Sequence, residues 1–326
     1  MRALILSLLI TPPAMAGVPE TVAQHILPGV AAFAEGTEAL RQAAADDCRA
    51  TALHPAYQKA FDAWMGLAHL QFGPLEQDGR SLTIAFWPDT RGLIPKTVSN
   101  LVTTRDAAAL DPDSFAEVSI AGRGLFALEL MLFDPTLSDY GPLDHGCVLV
   151  QAMTADLART GQALRGDWDS FAKVLNTAGA PGNTTYLSPD EAAQTLYTAL
   201  LSGLEFTEDQ RLGRPLGTFD RPRPTRAEAR RSGRSLRNVV LSLTALHDLA
   251  RHLSDQPIPR TDAAFETALS QAKDLDDATF DGVSDPAARL KIEVLQQSIG
   301  FVRDAIQGEI GSALGLTAGF NSQDGD

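Results

Sequence analysis

Apolar residues recur at three- and four-residue steps along most of this chain, and they almost never alternate. In "PAYQKAFDAWMGLAHLQF", residues 55–72, the side chains Tyr57, Phe61, Trp64 and Ala68 share one stripe while Gln58, Lys59 and Asp62 lie off it. That spacing predicts an amphipathic helix with its rings in a core. Similar patterns predict helices at about 19–47, 92–104, 113–133, 144–164, 188–206, 226–253, 261–275 and 286–310. Start signals agree: Ser188 precedes Pro189 and two acids, and either Ser284 or Asp285 can cap the helix that opens at Pro286. Only "SLTIAF", 81–86, resembles a strand. One short segment makes no sheet, so the expected fold is all-α: two packed helical bundles, roughly four helices each, with long irregular connections. The turn-rich "NTAGAPGNTTYLS" at 176–188 marks a boundary between candidate halves 17–180 and 181–326, and "RLGRPLGTFDRPRP" at 211–224 interrupts the second.

Composition narrows the class. The chain has 326 residues, 44% hydrophobic and 21% charged, which is enough apolar material to bury a large core. Residues 1–16 run from Arg2 through "ALILSLLI" to Pro12, Pro13 and "AMA", the layout of a secretory signal peptide cleaved after Ala16. Its apolar stretch is too short for a permanent span, and no later stretch reaches about eighteen apolar residues, so no membrane insertion is expected. The expected location is the periplasm or cell envelope. A net charge of −14 makes nucleic acid a poor partner and favours cations and basic proteins. The two cysteines, Cys48 and Cys147, both follow the leader and would meet an oxidising compartment. A disulfide between them is expected, the alternative being two separate buried thiols.

Candidate chemistry is sparse. There is no HExxH, GxSxG, P-loop or CxxC, and His247 and His252 are five apart, which turns them away from each other on a helix. The one unusual charge is Glu129 in "GLFALELMLF", 124–133. Helical neighbours one turn away are Leu125, Phe126, Leu132 and Phe133, so no local salt bridge is available and a buried carboxylate there needs a partner from elsewhere. Arg91, Arg123 and Arg237 are the candidate ion-pair partners. The connection "FGPLEQDGR" followed by "FWPDTRG" is either a functional loop facing a cleft or an ordered plug over a bundle end, with Asp89 able to cap the next helix. From Arg211 to Arg237 there are nine Arg and no Lys. These suit either a docking surface for an anionic partner or, the reading preferred here, pairing with the acidic remainder of the chain. The end, "LGLTAGFNSQDGD", is either a solvated tail or a cap in which Asp324 and Asp326 supply oxygen ligands.

Four of these stretches together, "LQFGPLEQDGR", "AFWPDTRG", "GLFALELMLF" and "GFNSQDGD", resemble the imelysin-like family of bacterial envelope proteins. The resemblance covers most of the chain beyond the leader. It implies an all-α fold of two bundles, a periplasmic or envelope location and a link to iron uptake; some members have been called peptidases. The family's proposed metal motif, GxHxxE, falls on Gly124, Phe126 and Glu129. Phe126 has no lone pair to give a metal, so only Glu129 carries over. The leading expectation is a binding or accessory protein of iron acquisition that works with other envelope proteins. Its ligand would be iron or another divalent or trivalent metal, with Glu129 and, more weakly, Asp89 as oxygen donors. A metallopeptidase is the opposing class, although it would need about three protein ligands and a general base. A third is an interaction module in which Glu129 makes a buried ion pair with no metal.

Overall fold

The computed structural model describes residues 17–315. The leader expected at 1–16 and the tail carrying Asp324 and Asp326 lie outside the described residues. Within them there are eleven α-helices of five residues or more and no strand, only an isolated bridge between Thr218 and Arg221. The helices are α1 (Leu27–Asp46), α2 (Ala50–Met65), α3 (Arg80–Ile84), α4 (Leu93–Thr104), α5 (Pro112–Ala116), α6 (Gly124–Phe133), α7 (His145–Asn176), α8 (Pro189–Glu205), α9 (Ser235–Leu253), α10 (Pro259–Lys273) and α11 (Pro286–Ile306). The fold is all-α.

Packing follows the apolar stripes. Helix α1 lies along α7 and α2, and α6 packs against α2 and α7; α9 packs on α8 and α10, and α10 on α11. Tyr57, Phe61 and Trp64 are buried as the spacing of α2 predicts. The π-helical turn Thr21–Ile26 that leads into α1 reaches across to α9, and one connected apolar core runs through both sets of helices. Caps follow local chemistry. The Ser188 hydroxyl accepts the Glu191 N–H, and Asp285, rather than Ser284, accepts the N–H groups of Ala287 and Ala288.

Cys48 and Cys147 are joined by a disulfide that closes a sequence separation of 99 residues. It ties the residue just past α1 to the first turn of α7, the two longest neighbours in the first half of the chain.

Three local expectations change. "SLTIAF" is not a strand: Arg80–Ile84 is helical, started by Gly79 in the left-handed region and tied down by an Arg80–Asp167 ion pair at 2.8 Å. The helix expected over 113–133 is broken between α5 and α6 by a turn at Ile120–Gly122, and α6 starts at Gly124 with φ +70. Residues 226–234 do not belong to α9, which begins at Ser235. That irregular segment carries the side chains that meet Glu129.

Candidate functional site

Helix α6 is apolar all round because it is buried all round, from Gly124 to Leu132. Glu129 sits within it at 4% exposure. Its partner is a serine. Ser232 donates both its backbone N–H, at 2.9 Å, and its hydroxyl, at 2.8 Å, to Glu129 Oε1. Burial pushes the Glu129 carboxyl above its ordinary value, against the pull of those two hydrogen bonds and of the more distant charges on Arg231 and Arg234. The remaining oxygen, Oε2, takes neither Ser232 bond, and the carboxyl lines a cleft of about 350 Å³.

Of the three arginines considered as partners of Glu129, two are engaged elsewhere and none reaches it. Arg123 forms a two-pronged pair with buried Asp156, at 2.8 and 3.0 Å. Arg237 pairs with Asp62, which also receives Arg234 at 2.8 Å. Arg91 is exposed, and among the described residues no carboxylate lies within ion-pair distance of it. The reason is position: α6 turns Glu129 toward the segment 229–232, and a backbone N–H with an adjacent hydroxyl fills the space a guanidinium would need.

Asp89 lines the same cleft, but its carboxylate is used locally. It accepts the N–H groups of Arg91, Leu93 and Ile94, at 3.2, 3.0 and 2.8 Å, and so caps α4. Phe126, at the motif's histidine position, is part of an aromatic wall, stacked on Trp87 at 6.4 Å and edge-on to Phe61 at 5.5 Å. Trp87 and Phe126 also line a second cavity of about 310 Å³, together with His69, Phe206 and the buried Arg211–Glu228 pair. His69 contacts His25 at 2.9 Å, and His25 in turn contacts Asp248 at 2.7 Å. Burial, with the charge of His25 behind it, pushes His69 well below its ordinary value.

The part of the cleft not foreseen is its charge. Arg214, Arg226, Arg230 and Arg231 all line it. The signal was visible in the run of nine arginines, and the preferred reading of that run holds for five of them. Arg211, Arg230, Arg231, Arg234 and Arg237 each meet a carboxylate of the chain. Among the described residues no group of three or more His, Cys, Asp or Glu side chains converges as a metal site. A bare cation bound at Glu129 would have Phe126 in place of a nitrogen donor, an Asp89 carboxylate already accepting three backbone N–H groups, and four guanidinium groups lining the same cleft. This donor set does not fit a directly held metal ion.

An all-α scaffold with a buried carboxyl at the floor of an arginine-walled cleft is therefore the class that fold and site define. The chain belongs to the imelysin family (Peptidase M75), whose model matches residues 26–302. It is similar to iron-regulated protein A of Synechococcus elongatus, with 25% identity over 319 residues, covering 89% of this chain and 83% of the relative. Among solved structures it is similar to an imelysin-like protein from Psychrobacter arcticum, with a TM-score of 0.77 at 20% identity, covering 93% of this chain and 96% of that one. A putative iron-regulated protein A precursor from Parabacteroides distasonis shares the fold at a TM-score of 0.61 and 14% identity, covering 88% and 93%.

The state of Glu129 makes a prediction. A carboxyl whose folded pKa is raised contributes its stability below the unfolded pKa and loses it as pH rises through the folded value. Glu129→Gln keeps a carbonyl oxygen for both Ser232 donors and cannot ionise. Melts between about pH 4 and pH 8 should show the variant above the wild type at the alkaline end, with the two curves converging at the acid end. A variant that melts below the wild type at all pH values would mean that Glu129 is ionised and paired.

Proposed function

We propose that this protein is a binding or accessory component of iron acquisition in the bacterial cell envelope, working with other envelope proteins, and that the cleft over Glu129 is its ligand site. The observation that carries the reading is the place of the family motif: Gly124 and Glu129 survive, and Glu129 lines a cleft of about 350 Å³. The names of two similar proteins, both iron-regulated, support the link to iron. The signal-like residues 1–16 and the Cys48–Cys147 disulfide support export to an oxidising compartment. No helix among the described residues is long and apolar enough to cross a membrane. Iron enters this reading as cargo.

The test is genetic. A strain lacking the protein should grow more slowly than its parent when iron is chelated and equally when iron is supplied. Wild-type protein, recovered in the periplasmic fraction, should restore growth. A deletion strain indifferent to iron, or a protein retained in the cytoplasm with its leader intact, would overturn the proposal.

A further inference from the structure

We infer that the arginine wall of the Glu129 cleft is a binding site for a small, multiply charged oxyanion, of the carboxylate or phosphate kind, free or wrapped around a metal ion. The inference rests on the reading of this cleft as the ligand site and specifies what the site takes.

The first observation is charge placed against the trend of the chain. The protein has a net charge of −14, yet four guanidinium groups line one cleft. Two of them have their charge balanced by the fold, Arg230 by Asp281 at 2.9 Å and Arg231 by Asp134 at 3.3 Å. For Arg214 and Arg226 no carboxylate lies within ion-pair distance among the described residues, and the two repel each other: burial and then the charge of Arg226 lower the proton affinity of Arg214. The Nε–H of Arg214 is buried without an acceptor among the described residues. The half-buried Arg214 donor and the exposed Arg226 charge are thus left available to an anion.

The second observation is that both acids lining the cleft are already held by hydrogen bonds within the fold. The Asp89 carboxylate is occupied by three backbone N–H groups. Glu129 is buried, its Oε1 is taken by Ser232, and burial raises the proton affinity of the carboxyl. Forked guanidinium donors match the paired oxygens of carboxylate and phosphate. The volume, about 350 Å³, lies at the lower end of the ~300–1,000 Å³ typical of small-molecule sites. Trp87 closes one side, with the Arg214 guanidinium 5.8 Å from its ring centre.

This also resolves a conflict in the site. Bare ferric or ferrous iron would be repelled by the arginines, whereas the same iron surrounded by an excess of carboxylate groups is an anion and would be attracted.

The test is titration of the purified mature protein at low ionic strength with citrate, inorganic phosphate and ferric citrate, followed by calorimetry and by the fluorescence of Trp87 and the other tryptophans. Saturable binding of at least one probe is expected, weakened about tenfold or more in the Arg214→Gln/Arg226→Gln double variant and weakened by added salt. Arg226→Glu, on an exposed side chain, should lose binding in the same way without a change in melting temperature. Comparing the three probes separates carboxylate from phosphate and free ligand from chelate. Absence of saturable binding by all three, or binding that both variants retain, would overturn the inference. If it fails while the deletion strain keeps its iron-limited defect, the ligand assignment alone falls. If oxyanions bind but the strain is indifferent to iron, the link to iron acquisition falls instead.

Discussion

Gly124→Ala is expected to destabilise the protein by on the order of 4 kcal/mol, a drop of roughly 6 °C in melting temperature for a chain of this size. Gly124 has φ +70, a conformation that costs an L-residue about 1–2 kcal/mol by itself. The larger part comes from contact. A β-carbon at this position would lie 2.3 Å from the Thr83 carbonyl oxygen and 2.4 Å from that of Ile84, where carbon and oxygen normally stay beyond about 3.3 Å. Both obstacles are backbone, so relief requires α3 and α6 to separate, and α6 carries Glu129 while the chain after α3 carries Trp87 and Asp89 into the cleft. Gly92→Ala is the control. Gly92 also has a positive φ, +65, but nothing lies within 4 Å of its would-be β-carbon, so only the conformational cost of about 1 kcal/mol applies. Equal melting temperatures for the two variants would show that the close approach of α3 and α6 is not what requires this glycine. The first residue of the family motif thus has a packing role independent of any metal.

Reduction of Cys48–Cys147, or the double Cys→Ser variant, should lower unfolding stability by ~4–5 kcal/mol. The bridge closes a separation of 99 residues, and the entropy removed from the unfolded chain grows with the logarithm of that length. The fold itself should survive, because α1 and α7 remain packed along their length without the link. Urea titration with and without reductant checks this. The midpoint should fall and the helical circular dichroism before the transition should not. An unchanged midpoint would indicate that the unfolded chain is already held compact by other contacts, and the case for an oxidising compartment would lose its energetic basis.

Much of the architecture could be read from the chain because a helix announces itself locally. Tyr57, Phe61 and Trp64 at helical steps predict α2 and its buried face without knowledge of what covers them, and Ser188 predicts the start of α8 from groups within four residues. The misreadings share a different property. "SLTIAF" is too short for its period to separate helix from strand, and the Arg80–Asp167 ion pair that holds it spans much of the chain. The single helix expected over 113–133 breaks because Gly124 must pass close to the backbone of residues 83 and 84, a contact no local pattern records.

The site divides along the same line. Neighbouring residues alone show that Glu129 is a carboxyl in an apolar helix with no helical partner, that Phe126 cannot serve as a metal ligand, and that arginines crowd residues 211–237 of an acidic chain. Long-range packing brings Glu129 to Ser232, 103 positions away, and sends Arg123 and Arg237 to Asp156 and Asp62. It also sets Arg214 and Arg226 in the same cleft. Periodicity and capping act over a few residues and are written in neighbouring side chains. The choice among several arginines for one buried carboxyl depends on which segments the fold brings within about 3 Å, and that is set by the packing of the whole chain.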